Sequence, residues 1–527
     1  MTTTVLRKEI LIMQFIDALE KVLDTNTNVS ITENGAVGYK TTGTYLLDMN
    51  FKVASYRHMS EDEILTDWEK AFSENAILAL KWLFYSRDVR EGLGERRLFR
   101  TIFKYLAREY LEIIEKLIPL IAEYGRWDDL FILLNTSAKD AVISIIKETL
   151  AADVANATAE KSITLLAKWL PSENSSSKKS KELARLIMKE CRISPRKYRK
   201  ILSSLRRYLN VTEVKMSANE WTDIDYEVVP SKANLIYNSA FLRRDEERRR
   251  KFLEKVSKGT AKINAGVLYP HEIVHKYTVD TGWYLRMAAK ADAGIEALWK
   301  ALPNFGLEDT ITVADGSGSM TVTVDRSSSV CALEVANALA IYTAQHCKGE
   351  FKNKYITFSN RPQLVHLTGD SLYENLQIAQ KHNEVADTNI QAVFDLILKT
   401  AVNTHCAQEE LPKNILIISD MEFNSAAGYY GRYENELTTL FDHFRARYAE
   451  YGYILPKLIF WNVNSRTCTI PVKENKAGVA LVSGFSLNIL KMVMSNKLDP
   501  FEILCDTLNS ERYAVIEKAL AKVENII

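Results

Sequence analysis

The 527-residue sequence has no uninterrupted apolar run of about 18 residues, the length that a helix needs to cross a membrane. Its first hydrophobic stretch, VLRKEILIMQFIDALEKVL, is interrupted by Arg7, Lys8, Glu9 and Asp17. This pattern is typical of an amphipathic helix and not of a secretory signal. We therefore expect a cytoplasmic protein that makes no contact with a membrane.

Cysteine is also scarce, with 6 residues scattered along the chain and no C-x-x-C pair. Such spacing excludes a small secreted fold held together by disulfides, and we expect reduced thiols. The chain is 47% hydrophobic and 26% charged, which is ordinary for a folded protein. Because its length exceeds what one hydrophobic core usually supports, we expect two large domains.

A net charge of only +1 hides a strong local asymmetry. Between Lys161 and Lys262 there are 25 Lys and Arg residues against 12 Asp and Glu residues. A basic region on an otherwise acidic chain indicates a polyanionic partner, most often nucleic acid. The alternative is a set of solvated helix surfaces that bind nothing.

Residues 1–305 carry apolar residues at helical spacing in many segments, such as ERRLFRTIFKYLAREYLEIIEKL. Ser60, and Ser194 before Pro195, are plausible helix starts. The rhythm is broken at residues 28–57, which predict a loop or short strands. Many helices of similar length joined by short turns favour an array of HEAT-like helical repeats, as an arc or a closed ring.

Residues 306–527 instead alternate short apolar runs with helical segments. DTITVAD, KYITFS, NILIISDM and KLIFWNVN are typical of buried strands. This alternation predicts a Rossmann-like α/β domain, with a parallel sheet covered on both faces and ligands at the carboxyl ends of its strands.

Side chains with oxygen atoms follow these strands. Asp315, Ser317 and Ser319 come after the first strand, Thr388 begins a later helix, and Asp420 ends the strand NILIISD. Such hard ligands suit Mg²⁺, or alternatively Mn²⁺ or Ca²⁺. The competing interpretation is a Gly/Ser turn that caps a helix. The loop matches neither G-x-S-x-G nor a G-K-[ST] phosphate loop, so we expect binding and no catalysis.

The D-x-S-x-S loop, with Thr388 and Asp420, resembles the metal-ion-dependent adhesion site (MIDAS) of von Willebrand factor A domains. An A domain that follows about 300 helical residues resembles the Ro ribonucleoprotein family, in which a TROVE domain forms a ring of helical repeats. The stretches RDVREGLGERRLF, GRWDDLF and FWNVNSRTCTIPVKENKAGVALVSGF agree with a divergent member. The change of pattern near residue 306 predicts domains at 1–305 and 306–527, and we expect a monomer because such a ring can close within one chain. The resemblance implies that small structured noncoding RNA binds outside the ring and that single-stranded RNA ends bind in its hole.

Lysine and arginine neutralise phosphates without reading sequence. We predict RNA contacts at Arg87, Arg90, Arg96, Arg97, Lys178, Lys179, Lys181, Arg196, Lys197, Arg199, Lys200, Arg206, Arg207, Arg243, Arg244 and Arg248. At helical spacing Tyr198 is more typical of a core residue than of a base-stacking one. The charges after Phe241 alternate with acids and could instead form a salt-bridged helix.

Two alternatives to RNA binding follow from the residues. The first is a protein-interaction scaffold, in which the metal ion recruits a carboxylate from a protein partner. The second is a zinc hydrolase, because His271, Glu272 and His275 form H-E-x-x-H. The extended pattern of that motif fails, with Thr278 at the glycine position and Thr281 at the final histidine position.

Overall fold

The computed structural model describes residues 28–280, 285–326, 328–359, 361–383, 389–424, 440–472, 478–494, 497–521 and 523. Among these residues no helix is both long and apolar enough to cross a membrane. No disulfide joins the six cysteines.

Helices dominate residues 45–300, as the apolar spacing predicts. They are α1 (Tyr45–Phe51), α2 (Glu61–Glu74), α3 (Ala76–Arg87), α4 (Arg96–Glu109), α5 (Leu111–Leu117), α6 (Ile121–Tyr124), α7 (Lys139–Thr158), α8 (Leu166–Trp169), α9 (Lys178–Cys191), α10 (Pro195–Tyr208), α11 (Thr212–Ser217), α12 (Ser231–Arg244), α13 (Glu246–Ser257), α14 (Pro270–Val274) and α15 (Ala293–Lys300). Both predicted starts are confirmed. Ser60 forms a reciprocal capping box with Glu63, and the Ser194 hydroxyl accepts a hydrogen bond from the Lys197 backbone N–H.

The later half contains an α/β fold, also as predicted. Its helices are α16 (Ala332–His346), α17 (Leu372–Lys381), α18 (Ile390–Thr404), α19 (Leu440–Glu450), α20 (Ile489–Val493), α21 (Pro500–Leu508) and α22 (Glu511–Leu520). The strands of the whole chain are β1 (Val29–Ile31), β2 (Val37–Tyr39), β3 (Thr278–Asp280), β4 (Leu285–Met287), β5 (Thr310–Asp315), β6 (Lys354–Phe358), β7 (Leu364–His366), β8 (Asn414–Ser419), β9 (Lys457–Asn462) and β10 (Val479–Ser483).

One six-stranded sheet organises this half, in the order β10-β9-β8-β5-β6-β7. All neighbours are parallel except β7, which runs antiparallel to β6 at the edge. The chain moves from β5 to β6 on one side and to β8 on the other. The carboxyl ends of β5 and β8 therefore flank a topological switch point, where α/β sheets bind their ligands.

The two halves of the chain share one continuous hydrophobic core. The β1–β2 hairpin lies against the α/β half, where Tyr39 bridges Ile470. Helix α1 packs on β10, and the C-terminal helix α22 packs on α3. Residues 28–57 thus pack against the α/β half, and residues 511–520 pack against the helical half. The core therefore continues across the predicted domain boundary near residue 305.

Candidate metal centre and central cavity

Four of the five predicted oxygen ligands converge beyond the carboxyl ends of β5 and β8. Asp315 accepts hydrogen bonds from the Ser317 backbone N–H at 2.9 Å and from the Ser419 hydroxyl at 2.6 Å. The hydroxyl oxygens of Ser317 and Ser319 are 2.9 Å apart. Asp420 follows the adjacent strand β8 and is fully buried, as is Asp315. Parallel pairing of β5 with β8 brings together side chains that lie about one hundred residues apart in the sequence.

The charges at this point fit a cation. Burial and the nearby charge of Asp420 raise the pKa of Asp315 to about 7, and burial raises the pKa of Asp420. Two buried carboxylates that disfavour each other's ionisation are stabilised by a divalent ion, and the neighbouring hydroxyls are hard donors. The described residues hold no group of three His, Cys, Asp or Glu side chains suited to a metal. This site has only two carboxylates, and its other donors are hydroxyls. Thr388 lies outside the described residues.

Two charged residues that the sequence did not single out also reach this site. Arg466, which follows β9, places Nη1 3.1 Å from Asp420 Oδ2. The same guanidinium holds Glu33, from the turn between β1 and β2, at 2.9 and 2.7 Å. Arg466 lies in the stretch FWNVNSRTCT, and Glu33 lies in the segment that breaks the helical rhythm. Neither position carries a local pattern that predicts this meeting.

A cavity of about 3110 Å³ is enclosed mainly by residues of the helical half. Lys and Arg residues outnumber Asp and Glu residues on its surface. Arg96, Lys104, Lys168 and Lys179 line it without an ion pair to any described residue. Burial, together with the neighbouring guanidinium groups of Arg126 and Arg100, lowers the pKa of Arg96 from its usual value. This part of the surface, which we call the basic wall, is therefore electropositive.

The cavity surface also carries exposed apolar side chains. Leu165, Val228, Ile236 and Val267 all line the cavity and are exposed, with Val228 at 60% and Ile236 at 61% of their accessible area. We call this set the apolar wall. Aliphatic side chains left open to solvent inside a cavity are a typical feature of a ligand site.

The predicted RNA residues divide into two groups. Six line the cavity: Arg87, Arg90, Arg96, Arg97, Lys179 and Arg206. Four of these six have guanidinium groups that bond within the protein: Arg90 pairs with the exposed Glu123, and the other three are buried or partly buried. Arg87 is buried against Asp129, Arg97 donates to the carbonyls of Tyr56 and Met59, and Arg206 donates to the carbonyls of Ala167 and Leu170. These three arginines hold the cavity wall together and are not available to a phosphate.

The remaining predicted residues do not line the cavity: Lys178, Lys181, Arg196, Lys197, Arg199, Lys200, Arg207, Arg243, Arg244 and Arg248. Most are exposed, while Arg199 pairs with Glu173 and Arg248 pairs with Asp245. On α13, Arg250 and Lys251 form i,i+4 pairs with Glu246 and Glu247, so the salt-bridged alternative is confirmed there. Tyr198 is a core residue, as its spacing predicts.

Further cavity cations were missed in the sequence: Arg57, Arg100, Lys104, Arg126, Lys168 and Lys232. Two signals could have found some of them. Arg100 and Lys104 lie on the polar face of the strongly amphipathic helix α4, and Arg126 begins the stretch RWDDLF, where it stacks on Trp169.

The H-E-x-x-H residues do not form a zinc site, which corrects that alternative. Among the described residues, His271, Glu272 and His275 belong to no group of three or more His, Cys, Asp or Glu side chains that could hold a metal ion. Glu272 pairs with Lys232 and caps its own helix through the Tyr269 N–H. His275 Nδ1 lies 2.8 Å from Glu334 of α16, and its Nε2 lies 3.1 Å from Ser329. His275 thus ties the helical half to the α/β half.

Comparisons with known proteins give no activity for this arrangement. Residues 309–521 match the domain of unknown function DUF7788, and residues 32–153 and 188–304 match the domain of unknown function DUF2828. The crystal structure of the Deinococcus radiodurans RO (RSR) protein aligns over 88% of this chain and 93% of that chain, with 11% identity. Its TM-score of 0.34 is too low to establish a shared fold.

A relative in sequence is much closer. Uncharacterized protein L728 of Acanthamoeba polyphaga mimivirus is 30% identical over 520 residues, which cover 91% of this chain and 87% of that protein. The chain therefore belongs to the same protein family as L728.

Proposed function

We propose that this protein binds RNA without catalysing a reaction, and that its central cavity holds a single-stranded segment. The observation that carries the proposal is the pairing of a basic wall with an apolar wall inside one cavity. A single strand presents anionic phosphates along one edge and unpaired bases along the other. Lys and Arg bind the first, and apolar or aromatic surfaces accept the second.

The cavity is also large enough for a polymer. Its volume of about 3110 Å³ exceeds the roughly 300–1,000 Å³ of typical small-molecule pockets. Phe131 lines it as well and adds an aromatic surface for bases, and Trp169, which carries the Arg126 guanidinium on one face, adds a second. A small anionic metabolite would leave most of such a space filled with water.

The exposed cations outside the cavity suit a different RNA. Arg196, Lys197, Lys200 and Arg207 are exposed on α10, and Arg243 and Arg244 are exposed at the end of α12. Outer positive surfaces can contact the phosphates of a folded duplex without reading its sequence. We assign small structured noncoding RNA to this outer surface.

Two sets of substitutions separate the two surfaces. The cavity set changes Arg96, Lys104, Lys168 and Lys179 to Gln, and the matched outer set changes Arg196, Lys197, Lys200 and Arg207 to Gln. We expect the cavity set to weaken binding of a fluorescent single-stranded oligonucleotide at least about tenfold and the outer set to leave it nearly unchanged. Equal losses in both sets, with the fold intact by circular dichroism, would contradict the assignment.

For the site beyond β5 we propose a bound Mg²⁺, with Mn²⁺ and Ca²⁺ as alternatives. Asp315, Ser317, Ser319 and Asp420 would hold the ion. The ion would accept a carboxylate from an acidic residue of a protein partner. Asp315→Ala should abolish Mg²⁺-dependent partner binding and preserve RNA affinity. If both activities fall together in a folded variant, the division between the two sites is wrong.

A protein-interaction scaffold without RNA is the alternative that the apolar wall favours. A peptide would bury Val228 and Ile236, and its affinity would depend little on salt. Nucleic acid that copurifies with the protein and disappears on nuclease treatment would decide for RNA.

A hydrolase is a second candidate because Ser329, His275 and Glu334 form a hydrogen-bonded chain, and Ser329 lies between Ser328 and Val330, which line the cavity. This is the order of a serine-hydrolase triad, in which the histidine takes the serine proton. Glu334 also caps α16 by accepting a hydrogen bond from the Cys331 N–H, which is a structural role. Labelling of Ser329 by a fluorophosphonate probe, lost in Ser329→Ala and His275→Gln, would favour hydrolysis. An unlabelled wild-type protein would dismiss it.

A further inference from the structure

The guanidinium of Arg466 lies between two carboxylates at the candidate metal centre. Nη1 is 3.1 Å from Asp420 Oδ2, while Nε and Nη2 hold both oxygens of Glu33 at 2.9 and 2.7 Å. Asp420 is fully buried, whereas Glu33 is about half exposed. Among the residues that the structure describes, Arg466 is the cation that forms an ion pair with Asp420.

Glu33 is fixed in place by its backbone and not only by its side chain. The Thr32 hydroxyl donates to the carbonyl of Phe423 at 2.6 Å, and the Asn34 amide donates to the carbonyl of Glu422 at 2.6 Å. The Glu33 N–H donates to the Glu422 carboxylate at 3.0 Å. Three hydrogen bonds thus hold the β1–β2 turn against Glu422 and Phe423, close after Asp420 in the chain. The Glu33 side chain can therefore move while the turn keeps its position.

Arg466 is held by the same network. Its backbone N–H and that of Thr467 both donate to the buried Glu422 carboxylate, at 2.9 and 2.8 Å. The loop that carries the guanidinium is therefore built onto the rim of the site. A side chain that ends in a bidentate pair with Glu33 has little freedom to point elsewhere.

We propose that Arg466 is a built-in competitor for the divalent ion, with Glu33 as its anchor. When no ion is bound, the guanidinium supplies the positive charge that Asp420 needs. When an ion binds, it requires this carboxylate oxygen, and Arg466 must leave it. The inference rests on the proposed ion site and adds its regulation. The Arg466–Glu33 pair, which links the β1–β2 turn to the loop after β9, lowers the affinity of the site for the ion. A partner that binds Glu33 or Arg466 therefore raises this affinity.

The test is a Mn²⁺ titration of the full chain, with free Mn²⁺ measured by electron paramagnetic resonance. We expect Arg466→Gln to bind Mn²⁺ at least about tenfold more tightly than the wild type, because a charge that opposes the ion is gone. Glu33→Gln loosens the anchor and should fall between the two. Lys413→Gln is the matched control. It removes the same charge from a pair with Asp309 at the opposite end of the sheet, and should leave the affinity unchanged.

The outcomes separate the competitor from the site itself. Wild-type binding that Asp315→Ala removes, together with unchanged or weaker binding in Arg466→Gln, would overturn the competitor role and keep the site. If Asp315→Ala still binds Mn²⁺ like the wild type, or if neither the wild type nor Arg466→Gln binds Mn²⁺, both the ion site and the competitor role are wrong. Thermal unfolding without Mn²⁺ checks that each variant is folded.

Discussion

Asp129 shows how a single residue holds several arginines of the cavity surface in place. Its carboxylate accepts hydrogen bonds from Arg87 at 2.8 Å, from Arg100 at 2.6 Å and from the Arg126 N–H at 2.9 Å. Asp129 and Arg87 are both buried. Asp129→Ala should therefore lower the free energy of unfolding by about 3–5 kcal/mol in urea denaturation, because it leaves a buried guanidinium without its partner. Asp128→Ala, at a partly exposed neighbour, should cost clearly less; equal losses would contradict this explanation.

His275 should make stability depend on pH. A hydrogen bond to Glu334 raises its pKa above the usual value, although burial and Lys276 oppose the shift. A raised pKa in the folded state stabilises the protein below the unfolded pKa of about 6.5, and this contribution is lost as pH rises through the folded pKa. His275→Gln should therefore cost more stability at about pH 5.5 than at about pH 9. A larger cost at the higher pH would contradict the assignment.

At this scale the sequence predicted some roles and not others. Asp315, Ser317, Ser319 and Asp420 are recognisable because a strand, a tight loop and a short motif are local features. Arg87 was predicted to contact RNA, yet it is buried. A charged residue looks the same in a sequence whether it is solvated or paired in the interior. Arg466 and Glu33 lie 433 residues apart, and no periodicity reports their contact.

At the scale of elements, helix α22 is an integral part of the helical half. Tyr513 is buried, its ring packs against those of Tyr85 and Tyr124, and its hydroxyl donates to Asp88 at 3.1 Å. Tyr513→Ala should lower the free energy of unfolding by about 3–5 kcal/mol, the usual cost of deleting a large buried ring. The unfolding should stay a single transition, since α3 and α22 share one core. Independent melting of the two halves would contradict it.

Element types were predictable, but their partners were not. Short apolar runs between helical segments predicted β5, β6, β8 and β9, because strands that are buried on both faces consist almost entirely of hydrophobic residues. The same patterns show that a helix has an apolar face but not which surface covers it. The packing of α1 on β10 and of α22 on α3 therefore emerged only from the structure. The predicted HEAT-like array and TROVE-like ring stay predictions.

At the scale of the whole molecule, the proposed RNA binding depends on charge inside the cavity. A net charge of +1 gives no general attraction to polyanions, so binding has to come from local clusters. The four cations of the basic wall lie on three helices, α4, α8 and α9, and the apolar wall faces the same space. Nucleic acid held there should release counterions as its phosphates are neutralised.

The most direct test is therefore the salt dependence of single-stranded RNA affinity, measured by fluorescence anisotropy for the wild type and the cavity set. We expect the logarithm of the association constant to fall linearly with the logarithm of salt concentration. The slope should become shallower by about 0.7 for each phosphate contact that the cavity set loses. A wild-type affinity that does not change with salt, or the same slope in both proteins, would contradict this proposal.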